Sequence, residues 1–70
     1  MLKREIAQIP FDVLSPSTYA VHNHPTISIE FDGLLWNLND WNEASRHASL
    51  DMAADYLAGK LRMAALDRHK

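Results

Sequence analysis

Near the middle of the chain, an Asp-Gly pair separates two apolar segments, and this pattern restricts the possible folds more than any other. In residues 27–31 apolar side chains alternate with polar ones, as in a half-buried strand. Asp32-Gly33 is a favoured pair for a two-residue type I′ turn, and residues 34–38 supply a returning strand. The sequence therefore predicts a β-hairpin over residues 26–38. A two-residue turn would form three apolar pairs across it: Phe31 with Leu34, Ile29 with Trp36 and Ile27 with Leu38.

The N-terminal third contains shorter segments with weaker patterns. Residues 2–9 fit either a short strand or one helical turn, and any helix must end before Pro10, because the residue preceding a proline avoids the α region. Residues 11–17 are predicted to form an extended connector whose apolar side chains reach the core. Residues 18–22 are rich in β-forming residues and predict a strand, and residues 23–25 predict a turn.

The C-terminal half has the spacing of helices. Asp40 with Glu43 resembles a capping box, and Ser49 provides a second possible helix start. Residues 40–66 are therefore predicted to form one kinked helix or two, and both alternatives stay open. Gly59 costs a helix about 1 kcal/mol relative to alanine, and its lack of a side chain would let another backbone come close. The apolar positions form two stripes: Trp41, Ala44 and Ala48 in the first part, and Leu50, Ala54, Leu57, Leu61 and Ala65 in the second.

The length of the chain limits how much core it can build. Its 70 residues make one small domain, residues 1–70, and such a core supplies about 3–5 kcal/mol at best. With no cysteine, disulfides and thiolate metal sites are excluded, so self-association or a protein partner is the expected support. The predicted fold is α+β: a small antiparallel sheet, made of the hairpin over residues 26–38 and one or two further strands, with a C-terminal helix or helix pair packed on one face.

Charge and hydropathy restrict the class of partner. The net charge of −2 lacks the basic surplus of proteins that bind nucleic acid through phosphates, so nucleic acid is an unlikely partner on this ground. No N-terminal apolar run follows Lys3 and Arg4, and no stretch approaches 18 apolar residues. We therefore expect a cytoplasmic protein that does not enter the membrane.

The sequence contains little that predicts catalysis. It has no Gly-x-Ser-x-Gly elbow, and its two glycines cannot build a phosphate-binding loop, so we expect no enzyme and no cofactor. His22 and His24 are two positions apart, which on a strand would project both imidazoles from the same face. Two neutral imidazoles can share a zinc or nickel ion, although a closed zinc site needs four ligands. A polar turn facing solvent is the competing interpretation of this pair.

Four residues are candidates for binding a partner. Tyr56 and Met63 lie outside the stripe that contains Leu50, Leu57 and Leu61, on a neighbouring helix face that also carries Met52. Trp41 belongs to the same group because aromatic residues and methionine are enriched at interface hot spots. The competing interpretation is that these side chains are core, which we expect for Trp36 on the hairpin.

Together these observations predict a non-catalytic protein-binding module that regulates or inhibits a larger complex. In size and charge the chain is comparable to small phage or mobile-element inhibitors such as anti-CRISPR proteins, without a motif of any such family. One alternative is a dimeric DNA-binding or antitoxin-type regulator that uses the basic end of the chain, from Lys60 to Lys70. The other is a small metal-binding domain built on His22 and His24.

Overall fold

A computed structural model of the chain describes residues 2–68, apart from the side chains of residue 25 and of residues 65–68. The side chain of the stripe position Ala65 and the whole of the basic terminal residue Lys70 therefore lie outside the described part of the chain. Six strands in chain order form one antiparallel sheet, in which each strand pairs with the next, and a single helix follows. The elements are β1 Leu2–Ile6, β2 Ile9–Ser15, β3 Thr18–Val21, β4 His24–Phe31, β5 Trp36–Asn39, β6 Ala44–His47 and α1 Leu50–Arg68.

The sheet has one apolar and one polar face, set by alternation along each strand. The pairing places one row of side chains across the apolar face from edge to edge: Leu2, Val13, Tyr19, Ile29, Leu38 and Ser45. The opposite face carries polar residues such as Glu30, Asn37 and Arg46. The predicted α+β class, with a C-terminal helix on one face of an antiparallel sheet, is confirmed.

Helix α1 packs on the apolar face and contacts both ends of the meander, β1 as well as β5 and β6. Ala53, Ala54 and Leu57 are fully buried against the sheet, where small residues let the helix backbone come close. The largest side chains that are completely buried are Phe11, Ile29, Leu38 and Leu57. Within residues 2–68, no helix is both long and apolar enough to cross a membrane.

The sheet has more strands than the sequence predicts, because two segments with weak patterns pair with their neighbours. Residues 2–9 and 11–17, predicted as a strand or helical turn and as a connector, contribute β1 and β2. Tight turns join them. Ala7 and Gln8 in the first turn have φ angles of 53° and 65°, and Asn23 has 70°. Positive φ is unfavourable for alanine and glutamine, so the first turn is held in place by the pairing of β1 with β2.

The central hairpin forms with a different loop from the predicted one. Phe31 pairs with Trp36 and Ile29 with Leu38, so the loop has four residues rather than two and the predicted register is wrong by two positions. Asp32 causes the difference. Its Oδ1 accepts hydrogen bonds from the backbone amides of Leu34 and Leu35 at 2.9 and 2.8 Å, which closes a wider turn around Gly33.

The prediction of helix from residue 40 is also wrong. Asp40 Oδ1 accepts hydrogen bonds from the amides of Asn42 and Glu43 at 2.8 and 2.9 Å, as a cap would, but the chain then turns back into strand β6. Residues 40–66, predicted as one kinked helix or two, thus contain strand β6 and a single helix. The second predicted start is confirmed, since the Ser49 hydroxyl accepts a hydrogen bond from the Met52 amide at 3.1 Å.

Candidate partner-binding groove

Helix α1 exposes a line of large apolar side chains on a side that the sheet does not cover. Met52, Tyr56 and Met63 follow one another at spacings of four and seven residues, which places them on one face. They are 57, 40 and 63% exposed, whereas Leu57 on the opposite side is fully buried. The helix therefore has two apolar sides, and only one of them is covered by the sheet.

Trp41 extends this surface beyond the helix. It lies in the loop between β5 and β6 and is 54% exposed. Between this loop and α1 runs a shallow, open groove of about 550 Å³, which we call the helix groove. Met52 lies one helical turn before it, outside the lining. The lining residues are Trp41, Asp55, Tyr56, Gly59, Lys60, Met63 and Ala64.

An ion pair fixes the loop to the helix beside the groove. Lys60 Nζ lies 2.7 Å from Asp40 Oδ2 and 3.9 Å from a carboxylate oxygen of Glu43. The Asp40 side chain is completely inaccessible to solvent, and that of Lys60 is 17% exposed. The same ammonium lies 5.4 Å from the ring centroid of Trp41 and 5.7 Å from that of Tyr56, within the range of cation–π attraction. Lys60 thus attracts both aromatic rings of the groove.

The charges of this pair are stabilised by their surroundings. Burial by itself raises the pKa of Asp40, but hydrogen bonds from Lys60, Glu43 and Asn42 outweigh it and bring the pKa below its usual 3.8. The hydrogen bond to Asp40 raises the pKa of Lys60 above 10.5. Both groups are therefore ionised across the neutral range.

Tyr56 is held in place at both ends of its side chain. Its hydroxyl donates a hydrogen bond to Glu43 Oε1 at 2.8 Å, which raises the pKa of Tyr56 above 10. Its ring packs on that of His47, with the centroids 5.0 Å apart. A half-exposed aromatic ring fixed in this way loses little conformational entropy when a partner covers it.

The two histidines considered as metal ligands are not on one strand. His22 lies in the turn after β3 and its Nδ1 is 3.1 Å from Asp12 Oδ1, whereas His24 begins β4. The prediction that both imidazoles project from the same strand face is therefore wrong, because the strand ends at Val21. In the described part of the chain, no three histidine, cysteine or acidic side chains are grouped so that they could hold a metal ion.

Two further features contain polar side chains: a serine–histidine pair and a second cavity. Ser45 Oγ lies 2.8 Å from His47 Nε2, but no hydrogen bond between described residues joins His47 to a carboxylate, as a catalytic triad would require. A second open cavity of about 630 Å³ lies between the β1–β2 turn and the side of α1 that carries Asp55 and Arg62.

The sequence predicts the groove residues in part. The helix spacing identifies Tyr56 and Met63, together with Met52 just outside the lining, and composition identifies Trp41. It does not identify Lys60 and Asp40, because Asp40 resembles a helix cap and its partner is 20 residues away.

No family model, curated protein or solved structure matches this chain in a comparison with known proteins.

Proposed function

We propose that the chain is a non-catalytic protein-binding module that regulates or inhibits a larger complex by docking through the helix groove. The observation that supports this proposal is the line of exposed apolar side chains, from Trp41 across Tyr56 to Met63, beside which an ion pair joins the loop to the helix. Surfaces of this kind, apolar with a polar rim, are typical of protein interfaces.

The arrangement of Lys60 supports the same proposal. A loop that is mobile before binding loses conformational entropy when a partner covers its apolar side chains. The loop that carries Trp41 is joined to the helix by the ion pair between Asp40 and Lys60 at 2.7 Å, so this loss should be smaller. Tryptophan and tyrosine are enriched among the residues that contribute most of the binding energy at protein interfaces.

The DNA-binding alternative has less support from the described residues. Lys60, the first residue of the basic end, is neutralised by Asp40 and is not available to a phosphate. Asp51 and Asp55 lie exposed on the same helix. A DNA affinity that falls steeply with salt would nevertheless revive this alternative, and a loss of stability in the presence of a chelator would revive the metal-binding one.

The test is capture of a partner by the folded chain from a lysate of the source organism, with a tag that contains no histidine. The double variant Met52→Ala/Met63→Ala removes two exposed side chains, one on the groove lining and one a helical turn before it, without touching the core. The matched control is Leu14→Ala/Leu34→Ala, since these leucines are 55 and 77% exposed elsewhere. A stoichiometric protein captured by wild type and control but not by the groove variant supports the proposal. Equal capture by all three chains contradicts it.

A further inference from the structure

The charges around the helix groove indicate what kind of protein segment it accepts. Three carboxylates, those of Asp40, Glu43 and Asp55, lie at the groove, and Lys60 is the one ammonium among the described lining residues. Lys60 is matched by Asp40 at 2.7 Å, so the charges of Glu43 and Asp55 are left over. None of the ion pairs between described residues includes Asp55.

The excess negative charge lies next to the apolar surface, on both sides of it. Asp55 is exposed on α1 between Met52 and Gly59, and Glu43 holds the Tyr56 hydroxyl from the loop on the opposite side. A segment lying along the groove would therefore cover apolar side chains and meet carboxylates at both edges. Positive charge on this segment would therefore favour its binding.

From this arrangement we propose that the helix groove binds a protein segment that carries arginine or lysine beside apolar side chains. The inference rests on the proposed function, and it specifies the chemistry of the partner. The apolar side chains would cover Met63 and Tyr56, and the cationic groups would meet Glu43 and Asp55. The exposed faces of Trp41 and Tyr56 add cation–π attraction for the same charge.

A second copy of the chain fits this surface less well. In a twofold symmetric dimer the same patch faces itself, so Glu43 and Asp55 of one copy would lie near those of the other. Like charges brought together in an interface oppose association. The groove therefore favours a different protein over self-association.

The length of the surface sets the length of the segment. Met52 to Met63 spans 11 residues of helix, or about 16 Å at 1.5 Å per residue. Five extended residues or about 11 helical ones cover that distance. A library of random 12-residue peptides displayed on phage thus contains segments long enough in either conformation.

The experiment selects this library against the folded wild-type chain and measures binding of the enriched peptides, as synthetic peptides, to four variants. Met63→Ala tests the groove, and Glu43→Gln/Asp55→Asn removes its unmatched charges while keeping side-chain shape. Glu5→Gln/Glu30→Gln removes the same number of charges from exposed strand positions outside the lining. Leu34→Ala is the control for the loss of an exposed apolar side chain. Thermal unfolding of each variant verifies that it is folded.

We expect enriched peptides that combine arginine or lysine with apolar residues and that bind Met63→Ala more weakly. Each charge removed from the groove should weaken peptide binding by up to about fivefold, as expected for an exposed ion pair. Added salt should also weaken binding, because it screens these charges. Peptides that depend on Met63 but are neutral or acidic, or that ignore Glu43→Gln/Asp55→Asn, would overturn the inference and leave the proposed function standing. Peptides indifferent to Met63, or a chain that dimerises through Met63 in sedimentation, would overturn both the inference and docking of a different protein in the groove.

Discussion

Lys60 of helix α1 and Asp40 of the loop after β5 form an ion pair of 2.7 Å whose carboxylate is completely shielded from solvent. The pair connects the middle of the helix to the loop that carries Trp41, so it supports both the packing of α1 and the shape of the groove. Its contribution to stability must follow the ionisation of both groups.

Stability should therefore fall at both extremes of pH through this pair. Because the pKa of Asp40 lies below its ordinary 3.8 in the folded chain, its contribution is complete above pH 3.8 and is lost as the pH falls through the folded pKa. The pKa of Lys60 is raised above 10.5, so its contribution is complete below pH 10.5 and is lost as the pH rises further. Urea unfolding of wild type and Lys60→Met across pH 2–5 and pH 9–12 measures both losses.

In Lys60→Met the loss at alkaline pH should be smaller than in wild type, with the remainder due to Tyr56, whose pKa is also raised. The acid loss should shrink too, because Asp40 no longer has its partner. Identical pH profiles for the two chains would show that the pair does not stabilise the fold.

Asp32 is expected to determine the loop of the central hairpin. Its carboxylate accepts hydrogen bonds from the Leu35 and Leu34 amides, from Asn37 and from Arg46, and these hold the pKa of Asp32 well below its usual range. Asp32→Ala should lower the temperature of unfolding more than Asp32→Asn, which keeps an acceptor for both amides. Glu30→Ala, on strand β4 just before the loop, is the control. Equal effects of the two Asp32 variants would mean that the loop does not depend on these bonds.

Replacing Gly59 should affect stability and binding in opposite directions. Among the described residues, apart from the neighbours of Gly59 in its own helix, no atom lies within 4 Å of the position that a Cβ would take. Gly59→Ala should therefore stabilise the free chain by about 1 kcal/mol, the difference in helix propensity. In a chain of this size that raises the unfolding temperature by roughly 4–8 °C. The new methyl group stands on the lining of the helix groove, so affinity for a peptide selected on the wild-type chain should fall. Unchanged affinity would place the bound segment away from Gly59.

The turn between β1 and β2 stores strain that a glycine should release. Gln8 has a φ of 65°, and a non-glycine residue with positive φ costs about 1–3 kcal/mol. Gln8→Gly should therefore stabilise the chain by about 1 kcal/mol after the entropy of the new glycine in the unfolded state is subtracted. Gly33→Ala provides the opposite control, since Gly33 has a φ of 99° and alanine there should destabilise the chain. Chemical denaturation measures the free energy of unfolding of both variants. If Gln8→Gly is less stable than wild type, the backbone at residue 8 is not strained.

Much of the sheet could be predicted because the alternation of apolar and polar side chains along a strand is a local property of the sequence. A shift of two positions in the central hairpin leaves every side chain on its predicted face, so Ile29 and Leu38 are buried although their predicted partners are wrong. The loop length could not be predicted from turn statistics for Asp32-Gly33, because the Asp32 side chain stabilises a wider turn.

The segment between Asp40 and Ser49 shows where local patterns fail. Trp41, Ala44 and Ala48 have helical spacing, yet residues 44–47 pair with β5, and this pairing between segments outweighs the spacing. Local patterns also fail to predict part of the groove. Its helical half follows from periodicity, whereas the contact of Lys60 with Asp40 exists only once the strands have brought the loop to the helix.

The contact of α1 with β1, β5 and β6 also bears on how the chain is made. The five hairpins join neighbouring segments and can form as they leave the ribosome, but the surface that buries Ile29 and Leu38 arrives only with the last element. At about 5–20 residues per second, the 19 residues of α1 take roughly 1–4 s to synthesise. Until α1 has emerged and packed, the apolar face of the sheet is uncovered, so chaperones should contact this chain mainly before its helix emerges.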